Sequence, residues 1–178
     1  MKRTSIKKVT LISIIAFFTG ISFVGAQQAS DEVNLTVRLA QMQNIEVKTG
    51  QENVLLEFNT PDHFQNGVST SKSEHLAVSS TTGFQVKVNV SGDLTNGENT
   101  IPANTVTVAP TYNSGTVPGD HTLTQKALGN NEETIISATS GAVETIYDLE
   151  YSASGGPEYI NETAGDYTTT VFYTISPN

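Results

Sequence analysis

Apolar and polar residues alternate along much of this chain with a period of two. The clearest case is residues 84–90, where apolar side chains occupy every second position from Phe84 to Val90 and polar ones lie between them. Successive side chains of a β-strand point to opposite faces, so this pattern predicts half-buried strands. The other predicted strands are residues 33–39, 54–58, 75–79, 105–108, 134–137, 143–151 and 167–175. No segment has the 3.6-residue period of a helix.

Turn-forming residues separate these predicted strands. They occur at residues 59–62, 91–93, 96–98, 110–120 and 154–157, which are rich in Gly, Pro, Asn, Asp and Ser. Short strands divided by such turns are typical of antiparallel sandwiches, whereas a parallel sheet needs crossover helices. We therefore predict an all-β fold, an antiparallel immunoglobulin-like β-sandwich of about eight or nine strands. A closed barrel is the alternative.

The first 26 residues have the three parts of a secretory signal peptide. Four basic residues precede an apolar stretch that begins at Val9, and Val24-Gly25-Ala26 places small or modest side chains before the predicted cleavage site. A membrane anchor is the alternative, but Gly20 and Gly25 interrupt the apolar run. We expect cleavage after Ala26, export from the cell, and a single domain over residues 27–178.

Composition narrows the function further. The chain has no Cys, which excludes disulfides and Cys-ligated metals, and it has no Trp. Four of the nine basic residues lie in the signal peptide and none of the 18 acidic residues does, so the processed chain is strongly acidic. Such a surface repels nucleic acid and anionic lipid. Stability must then come from packing rather than from covalent links.

Candidate catalytic residues are few. The three histidines, His63, His75 and His121, share no spacing that places two of them on one face, and the chain has no Gly-x-Ser-x-Gly motif. We interpret them as surface or loop histidines. The sequence therefore predicts no enzyme, no catalytic residue and no bound cofactor.

Acidic residues offer two weaker candidates. Asp148 and Glu150 lie two apart on one strand face, as a glycosidase pair would require, and Glu132-Glu133 lie in a turn. Calcium ligands would be available in Asp93, Asn96 and Glu98, although their spacing matches no EF-hand. We interpret all of these as solvent-facing acids, so no metal site is predicted.

The C-terminal segment suggests a structural comparison. Tyr167 follows Gly165-Asp166 and opens an alternating strand, as in the tyrosine corner of immunoglobulin-like sandwiches. Residues 164–175 resemble the closing strand of spore-coat-U-like domains and archaic chaperone–usher pilins, and the end of WxL-type surface domains. Residues 75–90, with Ile101-Pro102, are similar to small secreted β-proteins of Bacteroidetes-type bacteria. Phe172 interrupts the polar face of this strand and predicts that the strand is covered on both sides.

The resemblance implies a cell-envelope or extracellular sandwich and no catalytic site. The sequence lacks the Cys pair of many pilins and the Trp-x-Leu motif of WxL domains. We expect a secreted or cell-surface, non-enzymatic protein with a structural or adhesive role in the bacterial envelope. The alternatives are a pilin-like subunit that assembles by strand exchange, and a small carbohydrate- or cation-binding module. Expected partners are other envelope proteins, or further copies of this chain.

Residues 32–39, which alternate before the first predicted turn, bear on whether the protein assembles by strand exchange. In an immunoglobulin-like sandwich one more edge strand follows the tyrosine corner, and here the sequence ends soon after Ile175, which predicts a vacant edge. Residues 32–39 have the alternation to fill it, either in their own molecule or in a neighbour. Only the short segment of residues 27–32 precedes Val33 in the processed chain, and it gives little reach to a neighbour. We therefore expect residues 32–39 to complete their own fold.

Overall fold

The computed structural model describes residues 30–178, and the predicted signal peptide lies outside them. Residues 39–178 form one compact unit, whereas residues 30–38 are grouped apart from it and have no regular secondary structure. Within the described residues, no helix is long and apolar enough to cross a membrane.

The compact unit consists mainly of β-strands. In chain order they are β1 (Gln43–Val47), β2 (Val68–Ser80), β3 (Phe84–Val90), β4 (Leu94–Asn96), β5 (Asn99–Ile101), β6 (Val106–Ser114), β7 (Thr122–Leu123), β8 (Lys126–Ala127), β9 (Glu133–Ala138), β10 (Ala142–Ala153) and β11 (Val171–Pro177). Two short helices, α1 (Pro61–Asn66) and α2 (Pro157–Ile160), and a 3-10 turn (Ala103–Thr105) connect them.

The strands form two main sheets. One has the order β1-β2-β10-β6-β8 and the other the order β11-β3-β9-β7, while β4 and β5 form a separate hairpin. Every strand pairing is antiparallel. The prediction of an all-β antiparallel sandwich is confirmed. The strands outnumber the eight or nine expected because several are only two or three residues long.

The core lies between the two main sheets. The alternation in β3 is reproduced, since Phe84, Val86, Val88 and Val90 are all buried and the residues between them are half-buried. Across the core, β2 contributes Leu76 and Val78, and other buried apolar side chains come from neighbouring strands. Burial of each large apolar side chain stabilises the fold by about 1.5–3 kcal/mol.

Bulges displace some residues from the face that their spacing predicts. The pairing of β10 with β2 shifts between Ala142 and Thr145, where Glu144 has a φ of 54°. Val143 is 52% exposed as a result, although the period of two places it with the buried Tyr147. A second shift leaves residues 73–75 of β2 opposite Asp148 alone.

Helix α1 replaces a turn that the sequence predicted. Thr60 caps it by accepting the backbone N–H of His63 at 3.3 Å, and Pro61 occupies the first helical position. Residues 54–58 form no strand, contrary to expectation, although Leu56 and Phe58 pack against the core. Conversely, β1 forms at residues that the alternation did not identify.

The arm, residues 33–39, is also not a strand. The structure assigns it no strand pairing, and Val33, Leu35, Val37 and Leu39 are 75–90% exposed. The expectation that the arm completes its own sandwich is therefore wrong. A strand needs a partner for its backbone hydrogen bonds, and alternation alone does not provide one.

Candidate functional site

A buried polar cluster lies between the sheets at His75. The side chain of His75 is only 2% exposed, and its Nε2 lies 2.9 Å from the hydroxyl of Tyr151. That hydroxyl is also hydrogen-bonded to the hydroxyl of Tyr173, which links β2 and β10 to β11. His75 Nδ1 has no hydrogen-bond partner among the described residues. The interpretation of His75 as a surface histidine is therefore wrong.

This environment keeps the cluster uncharged. Burial lowers the pKa of His75, and the nearby positive charge of Lys72 lowers it further. Burial raises the pKa of Tyr151 to about 12, against the opposing effect of its hydrogen bond with Tyr173. The neutral ring of His75 is enclosed in the sandwich, where it is hydrogen-bonded to Tyr151. The cluster serves to hold three strands together.

The other two histidines lie elsewhere. His121 places its Nε2 2.9 Å from the hydroxyl of Tyr147, and partial burial lowers its pKa. His63 lies in α1, where its Nδ1 donates a hydrogen bond to the carbonyl of Glu57 at 3.0 Å. Each histidine therefore has a separate structural contact.

Asp148 stabilises the second bulge. Its Oδ1 accepts hydrogen bonds from the backbone N–H of Glu74 at 2.6 Å and from Asn113 Nδ2 at 2.8 Å. Glu74 has a φ of 53°, a strained conformation for a residue other than Gly. Glu150 lies on the same outer face but is exposed. The sequence thus identified a shared face correctly, but the carboxylate of Asp148 supports backbone structure.

Three of the remaining acidic candidates also have structural contacts, whereas Glu98 is exposed. Glu132 pairs with Lys87 at 3.3 Å, and Glu133 pairs with Lys126 at 3.0 Å. Asp93 accepts the backbone N–H of Ala103 at 2.9 Å. Across residues 30–178 no three His, Asp or Glu side chains come together as metal ligands would.

The tyrosine corner is present. The hydroxyl of Tyr167 donates to the carbonyl of Thr163 at 2.9 Å, and its ring packs against the core. The hydrogen bond to backbone four residues upstream confirms the prediction for this side chain. The following strand, β11, begins later than predicted, at Val171.

Strand β11 lies at the edge of its sheet and pairs only with β3 among the described strands. Phe172 is 47% exposed there, so the expectation that β11 is covered on both faces is wrong. No described strand pairs with the outer edge of β11, as the sequence predicted. An edge strand has unpaired N–H and C=O groups that can bind another strand.

A second opening lies beside the first half of β2. Residues 68–72 pair with β10 on one side, whereas β1 pairs only with residues 76–80. The segment of residues 54–58 lies across from them and makes no backbone hydrogen bond to any other described backbone group. Between them is an open cavity of about 510 Å³ lined by Leu55, Leu56, Val68 and Thr70, among others. We call this cavity the β2 groove.

The sequence did not predict the β2 groove, because the alternation identified no strand at residues 68–72 and does not show that residues 54–58 fail to pair with them. The arm was found through its pattern, and the groove appears only in three dimensions. Comparison with known proteins adds no assignment: no protein family and no curated protein matches this sequence. The arm, the free edge of β11 and the β2 groove are the features that bear on function.

Proposed function

We propose that this protein is an exported, non-enzymatic β-sandwich of the bacterial surface, with a structural or adhesive role, and that its arm joins it to a neighbouring subunit. The signal-peptide pattern of residues 1–26 supports export. This proposal combines the structural role with assembly by strand exchange.

The observation that carries the proposal is the exposure of the arm. Val33, Leu35, Val37 and Leu39 occupy alternate positions, and each is at least three-quarters exposed. Contiguous apolar exposure of this kind marks an interaction surface. Alternation suits a strand with one covered face, and main-chain hydrogen bonds to an unpaired edge would supply affinity. The arm therefore has the chemistry of an added strand.

Assembly is expected to depend on the apolar side chains of the arm. Leu35→Asp removes one large side chain from the covered face and places a charge there. Loss of about 1.5–3 kcal/mol of burial corresponds to association that is roughly ten- to hundredfold weaker, and the charge weakens it further. Sedimentation velocity of the exported protein over a concentration series measures this effect. We expect concentration-dependent assemblies for the wild type and monomers for Leu35→Asp.

The matched control is Thr36→Asp, which introduces the same charge on the opposite face of the arm. This variant should assemble nearly as the wild type does. At a concentration where the wild type is monomeric, both variants should keep its melting temperature because the arm is exposed. A wild-type protein that stays monomeric at every concentration, or assembly that is unchanged by Leu35→Asp, would refute the proposal.

The carbohydrate- or cation-binding alternative receives less support from the geometry. Two of its acidic residues are already engaged, since Asp148 and Asp93 each accept a backbone N–H. Glu132 and Glu133 are engaged in ion pairs with lysines. The arm has no comparable contact, so the structural role is the better-supported proposal.

A further inference from the structure

The interior face of the sandwich is incompletely covered at the β2 groove. Val68, Thr70 and Lys72 lie opposite Ala153, Tyr151 and Leu149 of β10. Directly paired residues of antiparallel strands share a face, and the three β10 residues are buried, so this is the interior face. Their β2 partners are nevertheless only half-buried. An apolar strand in the groove would cover them.

We propose that the β2 groove of one molecule receives residues 33–39 of a second copy, antiparallel to β2. This inference rests on the proposed function and assigns the acceptor site for its arm. In the register that we propose, Val33, Leu35 and Val37 lie opposite Lys72, Thr70 and Val68. The apolar side chains of the arm then point to the interior face, and its polar side chains point to solvent.

The charges favour the antiparallel direction. Acidic residues Asp31 and Glu32 precede the arm, and Arg38 lies near its other end. Glu57 and Asp62 line the end of the groove next to α1, whereas Lys72 lies four residues along β2 from Val68. An antiparallel arm places its acidic end near Lys72 and Arg38 near the acidic end of the groove. A parallel arm would bring like charges together.

In the antiparallel register, the arm cannot reach the groove of its own molecule. Leu39 lies four residue steps before Gln43, a span of at most about 14 Å. Gln43 lies opposite Ser80, and Lys72, the first β2 position of the proposed register, lies eight residues away along β2. At about 3.3 Å per residue that distance is roughly 26 Å. The arm that fills the groove must therefore come from another molecule.

Disulfide trapping tests the assignment, because the natural chain contains no Cys. In the proposed register Thr36 lies opposite Ser69, and both side chains face outward. The exported proteins carrying Thr36→Cys and Ser69→Cys are mixed at an assembling concentration and oxidised, and joined peptides are identified by mass. Opposed residues have Cβ atoms about 4.5–5.5 Å apart, close enough for a disulfide to form with a small adjustment.

A matched mixture locates the alternative acceptor. Thr174→Cys places the thiol on the exposed face of β11, the other free edge. We expect the Thr36–Ser69 disulfide to form, the Thr36–Thr174 disulfide to be absent, and Leu35→Asp in the arm to abolish the crosslink. A crosslink to Thr174 instead would overturn the groove assignment but not the role of the arm. No crosslink to either position, with a monomeric wild type, would overturn both.

A double variant checks that the contact is between molecules. A chain carrying both Thr36→Cys and Ser69→Cys should form crosslinked oligomers when oxidised at an assembling concentration, and it should stay reduced when oxidised after dilution. An internal disulfide that forms in the diluted monomer would overturn the reach argument and the proposed acceptor.

Discussion

Tyr147→Ala is expected to lower the free energy of unfolding by about 3–5 kcal/mol, the usual cost of deleting a large aromatic side chain from a packed core. Tyr147 has no solvent exposure and is among the largest fully buried side chains. The loss is a large part of the 5–15 kcal/mol that stabilises a typical domain. Urea unfolding followed by circular dichroism measures it.

Tyr147→Phe is the control for this substitution. It keeps the ring and removes only the hydroxyl, which lies 2.9 Å from His121 Nε2. Because His121 is only partly buried, water can replace that contact, and we expect a loss of about 1 kcal/mol. An alanine variant as stable as the phenylalanine variant would show that the ring does not pack in the core as described.

Acid should destabilise the fold through His75. Its pKa is lowered in the folded protein from an ordinary value of 6.5, so the unfolded chain binds the proton more readily. The stabilisation from the neutral ring is complete above about pH 6.5 and is lost as the pH falls below that value. One histidine that stays neutral contributes a slope of up to about 1.4 kcal/mol per pH unit. Urea unfolding at pH 8 and pH 5 measures the difference.

Two variants separate the histidines. His121 has a pKa lowered by burial and acts in the same direction. We expect His121→Gln to keep most of the pH dependence, because His121 is less buried than His75. His75→Gln should lose stability at pH 8 and remove most of the decline between pH 8 and pH 5. A His75→Gln protein with the full wild-type decline would contradict the assignment to His75.

The sequence predicted the fold class because antiparallel strands with one buried face alternate apolar and polar residues. In β3 each side chain faces either the core or the outer surface, so the alternation of Phe84 to Val90 reproduces its burial. Val143 and His75 were misplaced because bulges add residues to a strand and change the face of the side chains that follow. A period of two cannot anticipate an inserted residue.

The arm shows a different limit. Its alternation is as regular as that of β3, yet residues 33–39 form no strand in the described structure. Alternation shows which face of a segment is apolar, and it does not identify the strand that will cover that face. For the same reason the sequence did not predict the β2 groove, where residues 54–58 and residues 68–72 lie close without pairing. Both features depend on partners that local sequence does not specify.

We propose that the arm becomes a strand only when it binds another molecule. Hydrogen–deuterium exchange of the exported wild-type protein at low and high concentration tests it most directly. We predict that the amides of residues 33–39 exchange rapidly in the dilute protein and become protected, together with residues 68–72, as the concentration rises. Arm amides that exchange rapidly at every concentration, in a protein that nevertheless assembles, would contradict the claim.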